Sequence, residues 1–325
     1  MYNHKRSRAA GSFKKQGVYL LITLTVGLML AHTAWGETAW RMLRESMTMD
    51  MYNPQSIAQA VFGTRHTVLA GEEDPVAETD LPPLDIRIIK PLARPNQTNA
   101  KGISVLIYHT HTSEAYAKQP LDTYTETGEW RSTDNAHNIV RVGTELKDQL
   151  ESNGFSVYHA LTDHEPPKLS TAYTRSVQTM QAAQAQAPID LFIDVHRDAY
   201  IAELRDLQTV DVQGQPAARM MFVVAMGEGD MYVEKPDWRR NYALAKQITD
   251  AVNAEYPDLM KQPMLRTDRF NQHMGLVLLV EIGNNCNALS EALAAVPPLA
   301  HGINACAEAI AVNKVTQQPF DLTPR

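Results

Sequence analysis

ISVLIYHTHTSEAY, residues 103–116, joins an unbroken apolar run to a cluster of imidazole, hydroxyl and carboxylate groups. Ile103–Tyr108 is short, apolar and β-branched or aromatic, which reads as a buried strand. The adjoining segment, His109-Thr-His111-Thr-Ser-Glu114, puts polar chemistry at the carboxyl end of that strand.

Outward from this stretch, helical and extended patterns alternate. Asn138–Asn153 places Ile139, Val142, Leu146 and Leu150 at helical spacing, with Gly154 as a stop. FSVYH (Phe155–His159) reads as a second strand, Tyr173–Ala187 as a helix closed by Pro188, and IDLFIDV (Ile189–Val195) as a third strand. MMFVVAM (Met220–Met226) is a fourth strand, Trp238–Tyr256 a helix ended by Pro257, LVLLVEI (Leu276–Ile282) a fifth strand, and Ser290–Ala311 a closing helical region. Such alternation predicts an α/β domain, with a largely parallel or mixed sheet flanked by helices and sites at the carboxyl ends of strands.

Three of those ends carry chemistry. The first leads into His109, His111 and Glu114, the third into His196-Arg197-Asp198, and the fifth contains Glu281. Imidazoles with carboxylates are the ligand set of a hydrolytic zinc site, in which three protein groups leave a fourth position open. Zinc lowers the pKa of water to about 7 and polarises a carbonyl, while a carboxylate that does not ligate moves the proton. Each residue alone has an ordinary structural reading, the His as a hydrogen-bonded residue and the Glu as a solvated or capping carboxylate. A carboxylate inside Leu276–Ile282 still costs several kcal/mol of desolvation unless a charge nearby compensates, so Glu281 calls for a partner. Counting does not separate His109 from His111, because in a continued strand both point to one side. Arg197 and Asp198 read as groups that stabilise developing charge, or as an ion pair of Arg197 with Asp198 or Asp194. Asn271 and Gln272 read as amide donors to a substrate, or as a loop cap.

The amino-terminal flank reads differently. His4, Lys5, Arg6, Arg8, Lys14 and Lys15 precede an uncharged apolar run from Gly17 to about Trp35, close to the roughly 20 residues that cross a bilayer as a helix. The positive-inside rule then predicts a cytoplasmic tail at 1–16, a transmembrane signal-anchor at 17–36 and an exported remainder. Ala34-Trp35-Gly36 leaves a cleaved signal peptide as the rival reading. Residues 37–100 read as a juxtamembrane segment and a Pro- and Asp-rich linker, 101–315 as the catalytic domain and 316–325 as a tail. The formal net charge of -7 supplies no basic field for nucleic acid. The two cysteines, Cys286 and Cys306, are too few for a disulfide framework; they pair once or stay free thiols.

The stretches IYHTHTSEAY (Ile107–Tyr116), NIVRVGTELKDQLESNGFSV (Asn138–Val157), DVHRDAY (Asp194–Tyr200), FVVAMG (Phe222–Gly227), FNQ (Phe270–Gln272) and LLVEIGNNCN (Leu278–Asn287) together resemble the ordered motifs of the stage II sporulation protein P family. More distantly the plan is similar to the wider zinc-dependent N-acetylmuramoyl-L-alanine amidases. The resemblance implies an amidase-like fold, Zn2+ as cofactor and peptidoglycan as substrate. It implies cleavage of the amide between N-acetylmuramic acid and L-alanine, and of peptide cross-links, during engulfment in sporulation beside a lytic transglycosylase partner. It further implies His111, Glu114 and His196 as metal ligands and Glu281 as general base. Asp134 and His137 rival Glu114, since the wider amidases bring their ligand Glu from a helix start. Competing functional readings are a wall carboxypeptidase or deacetylase with the same ligand set, and a wall-binding scaffold without catalysis.

Overall fold

The computed structural model describes residues 81–91, 102–199, 208–227, 235, 237–266, 271 and 273–316, all within the compact unit Leu81–Arg325. The expected cytoplasmic tail and transmembrane segment at 1–36, most of 37–100, the tail after Thr316 and Gln272 lie outside the described residues. Among the described residues no helix is long and apolar enough to cross a membrane.

The elements run in the order β1 (Ile88–Ile89), β2 (Ser104–Tyr108), α1 (Ile139–Ser152), β3 (Ser156–Ala160), α2 (Ala172–Gln186), β4 (Leu191–Asp198), β5 (Thr209–Val212), β6 (Gln215–Ala218), β7 (Met220–Ala225), α3 (Trp238–Glu255), β8 (Met264–Arg266), β9 (Val277–Asn284), α4 (Leu289–Ala305) and α5 (Ala307–Thr316). One sheet of seven strands has the order β1-β3-β2-β4-β9-β7-β8, and β5 with β6 forms a separate hairpin. The centre, β3-β2-β4-β9, is parallel. β1 and β7 pair antiparallel with β3 and β9, so the sheet is mixed. The described residues between β4 and β7 form the β5–β6 hairpin, and an antiparallel neighbour needs no helical crossover. β1 also moves the edge of the domain, because Ile88 and Ile89 of the expected linker pair with Ala160 and His159.

α1 begins where Asn138 caps it, its side-chain oxygen accepting from Val140 N at 2.9 Å. It ends at Asn153, and Gly154 takes φ 88°, a left-handed turn that glycine adopts without steric penalty. Its stripe Ile139, Val142, Leu146 and Leu150 is fully buried, each side chain contributing about 1.5–3 kcal/mol. That stripe, with residues of α3 and α4, covers the sheet face formed by Val105, Ile107, Ile193, Val195, Leu278, Val280 and Phe222. The opposite face, with Leu106, Tyr108, Phe192 and Val277, receives Met180 and Ala183 of α2. Side chains alternate along a strand, so Asp194 and His196 of β4 and Glu281 of β9 belong to this second face. Cys286 is exposed and Cys306 buried, and no disulfide joins them.

Candidate active site

The strand-end motif of β2 splits at its two histidines. The β2 strand stops at Tyr108, and His109 still follows the alternation of Val105 and Ile107 into the main core. There His109 Nδ1–H donates to Val195 O at 3.0 Å, which leaves Nε2 to accept from His159 Nε2–H, also at 3.0 Å. The assignment leaves His159 Nδ1 bare, and that buried nitrogen has no hydrogen-bond partner. Burial pushes the His109 ring down to about 4, so it stays neutral. The secondary candidate His109 is therefore a core residue.

His111 lies past the strand, in a turn closed by Glu114 N–H to His111 O at 3.2 Å. That turn swings His111 to the α2 side of the sheet. Its ring meets His196 edge-on at 5.4 Å between centroids, and Tyr173 of α2 likewise at 5.4 Å. His111 Nδ1 is buried without a hydrogen-bond partner, and Glu165 Oε1 stands 3.7 Å from it. Burial holds the His111 ring down at about 4.

Glu114 comes next in the same loop, buried, with Oε2 3.5 Å from His196 Nδ1 and accepting Arg197 N–H at 3.2 Å. Burial opposes its ionisation, but the hydrogen bond and positive charge of His196 outweigh that and hold the carboxyl down at about 2. The rivals Asp134 and His137 do not share this position. They pair with each other at 3.9 Å, and His137 Nδ1 pairs with Asp122 at 2.6 Å.

His196 has a second carboxylate behind it. Asp194 Oδ1 lies 2.9 Å from His196 Nε2, outside in-line hydrogen-bond geometry. Burial lowers the proton affinity of His196, yet Asp194 and Glu114 together raise it well above the ordinary range. Asp194 is itself fixed: its oxygens accept Thr110 N–H at 2.9 Å and Thr110 Oγ1–H at 2.7 Å. Thr110 Oγ1 meets Ser176 Oγ at 2.9 Å, and Asn271 Nδ2 donates to that same Ser176 oxygen at 2.5 Å. Asn271 is buried in this chain of bonds and braces the site from behind.

Glu281 is the direct neighbour of His196 across the β4–β9 ladder. Its Oε2 is buried without a hydrogen-bond partner. Burial, and then the charge of Asp198, lift its carboxyl well above the ordinary range. Asp198 is raised as well, by burial first, while its Oδ1 accepts Ala199 N–H at 2.8 Å.

Arg197 stands otherwise than a charge-stabilising group would. Its guanidinium is spent on backbone carbonyls: Nε donates to Ala115 O at 2.9 Å, Nη2 to Trp130 O at 3.1 Å and Nη1 to Asp198 O at 3.4 Å. Neither expected ion pair, with Asp194 or Asp198, is formed among the described residues. Arg197 clamps the Glu114–Ala115 segment to β4 instead.

The described residues hold no three His, Cys, Asp or Glu side chains already set as a metal centre. The donor set nevertheless fits one. Donors about 2.0–2.1 Å from a tetrahedral metal are about 3.3–3.4 Å apart, close to the 3.5 Å between His196 Nδ1 and Glu114 Oε2. His111 adds a buried nitrogen with no hydrogen-bond partner, and two carboxylates flank His196, as a cation requires. Asp194, Tyr173, Glu165 and Arg131 were not among the sequence candidates. Asp194 alone had a sequence signal, a carboxylate inside the apolar run IDLFIDV two residues before His196.

The sequence model of the family described as stage II sporulation protein P matches residues 45–304. A curated relative, the stage II sporulation protein P of Bacillus subtilis (strain 168), is 27% identical over 210 residues, covering 61% of this chain and 49% of its own. The chain thus spans about half the length of that relative. Among solved structures, the CwlD amidase from Clostridioides difficile in complex with the GerS lipoprotein is similar at 10% identity and a TM-score of 0.40, covering 64% of this chain and 100% of that one. An N-acetylmuramyl-L-alanine amidase from Mycobacterium smegmatis is similar at 12% identity and a TM-score of 0.37, covering 64% and 98%. A metallo-carboxypeptidase from Burkholderia cenocepacia is similar at 11% identity and a TM-score of 0.40, covering 71% and 66%.

Proposed function

Because this chain belongs to the stage II sporulation protein P family, we propose that it is a zinc-dependent peptidoglycan hydrolase of sporulation that cleaves the amide between N-acetylmuramic acid and L-alanine. The observation that carries the reading is the meeting of His111, Glu114 and His196, with Glu281 in register beside His196. His111, Glu114 and His196 would hold the metal. Zinc bound there supplies Lewis acidity, acidifying water and polarising the scissile carbonyl.

The remaining work falls to this chain's own groups. Asp194 faces His196 Nε2 as an ion-pair partner at 2.9 Å, and His196 Nδ1 faces Glu114 at 3.5 Å. Arg197 pins the backbone that carries Glu114. Glu281 offers an oxygen without a protein partner, and its raised proton affinity suits a group that takes a proton from the attacking water and returns it to the leaving nitrogen. Burial around these groups strengthens each electrostatic contact. The exported location expected from the basic residues before Gly17 and the apolar run to Trp35 belongs to the same proposal, since the substrate lies outside the membrane.

The test is release of stem peptides from purified sacculi by the full-length protein, read by mass spectrometry. Zinc-loaded protein releases free stem peptides, and Glu281→Gln and His196→Ala lower the rate by about 10²-fold or more. Full activity in either variant would overturn the assignment, and products other than freed stem peptides would favour the carboxypeptidase or deacetylase reading.

A further inference from the structure

The loop between β2 and α1 brings a second cation to the site. Arg131 pairs with Glu114 across an isolated antiparallel bridge, so its backbone is fixed beside a candidate ligand. Its side chain is gripped at one nitrogen only. Nη1 donates to Ser113 Oγ at 3.1 Å and pairs with Glu165, and Ser113 in turn donates to the other Glu165 oxygen. The same Glu165 carboxylate stands 3.7 Å from His111 Nδ1. The guanidinium thus reaches the His111 side of the site through Glu165, which both Arg131 Nη1 and His111 Nδ1 face, with a quarter of the side chain, 25%, still open to solvent.

Among the described residues, Nε and Nη2 of Arg131 donate to nothing. Those two nitrogens present parallel N–H bonds along one edge of the guanidinium, the fork that takes a carboxylate with two hydrogen bonds. Arg197 cannot offer the same edge, because its Nε and Nη2 are bound to the carbonyls of Ala115 and Trp130. Around His196 the carboxylates are Glu114, Asp194 and Glu281, and the rings are His111 and Tyr173. Of the two arginines described at this loop, Arg131 and Arg197, Arg131 is the one with its fork open to an anionic ligand.

We propose that Arg131 is the carboxylate-binding residue of the site and selects peptides whose carboxylates are free over peptides in which they are amidated. The proposal rests on the hydrolase reading for its ligand, a wall stem peptide, and deepens it: Glu165 and Ser113 grip Nη1 and leave the fork open, while His111 and Glu114 would hold the metal. A fork already held by the partly buried Glu165 carboxylate loses little rotamer freedom on binding, which favours affinity over a free surface arginine.

The experiment measures binding of a free stem peptide to the full-length zinc-loaded protein by calorimetry, and of the same peptide with each carboxylate converted to an amide. Wild-type protein binds the free-acid form at least about tenfold more tightly, as expected of one charge-assisted bidentate pair. Arg131→Gln brings the two affinities to a ratio of about one, and Arg131→Lys, with charge but no fork, falls between. Zinc content is read in parallel, because a residue that merely braced His111 would lower zinc content and weaken both peptides alike. An unchanged ratio in Arg131→Gln, or an equal loss for both peptides, overturns the proposal. Should sacculi remain uncut by wild type while the ratio behaves as expected, the hydrolase reading fails and carboxylate binding stands; cleavage with an unchanged ratio is the reverse.

Discussion

Asp194 Oδ1 lies 2.9 Å from His196 Nε2, and Thr110 binds both oxygens of that carboxylate. A ligating imidazole whose far nitrogen meets a carboxylate is fixed in tautomer and orientation and made more basic. Asp194→Asn keeps the shape and removes the charge, so zinc affinity should fall by about 10–100-fold. Competition against a chromophoric chelator measures it. Unchanged affinity would mean that Asp194 serves only to tie Thr110 to β4.

Gly143 of α1 faces the buried imidazole pair. A Cβ built there would lie 2.5 Å from His109 Cε1 and Nε2 and 2.8 Å from His159 Nε2. Neither ring can retreat, since His109 is held by Val195 O and both are fully buried. Gly143→Ala should therefore destabilise the protein by about 1–3 kcal/mol, although alanine is the better helix former by about 1 kcal/mol. Chemical denaturation checks the sign, and a stabilised variant would show that the pair is not packed as described.

His164 Nδ1–H donates to His109 O at 2.7 Å, and Thr179 Oγ1 meets its Nε2 at 2.8 Å. Burial holds this ring down at about 4, against 6.5 for an exposed histidine, and lowers His159 in the same direction. The unfolded chain takes up the His164 proton near pH 6.5 while the folded chain resists until about pH 4. Stability from this group is complete above 6.5 and is lost as pH falls toward 4, on the order of 3 kcal/mol in all. Denaturant midpoints at pH 7 and pH 5 should differ accordingly, and His164→Asn should reduce the slope by about one proton.

Arg197→Lys keeps a positive charge and loses the fork across Ala115 O and Trp130 O. A clamp that loses such bonds costs about 1–3 kcal/mol of stability and leaves carbonyls unpaired. A drop in kcat with unchanged stability would instead assign Arg197 to the charge developing in the reaction.

Much of the sheet could be read because its central strands are apolar runs too short to be helices. β1 and β8 could not, having two and three residues and so no measurable period. The hairpin before β7 carries a weak signal, because its strands have four residues each, with Pro216 in the second and Gly214 in the turn between them. At the site, His111, Glu114, His196 and Glu281 announced themselves as polar groups at the ends of apolar runs. Separating His109 from His111 needed the residue at which β2 stops, which no spacing rule supplies. The role of Arg197 was hidden for a different reason: its partners are backbone carbonyls, which have no identity in a sequence. Arg131 and Glu165 sit in irregular loops, where pattern places nothing.

β9 lies between β4 and β7 in the sheet, yet it comes after β4 and β7 in the chain. A ribosome therefore delivers His111, Glu114 and His196 long before the strand that carries Glu281. Until that strand slots in, β4 and β7 have no common partner and His196 has no Glu281 beside it. On the proposed function, a truncated or half-made polypeptide would be inert, and hydrolytic competence would arrive only with the last piece of the sheet.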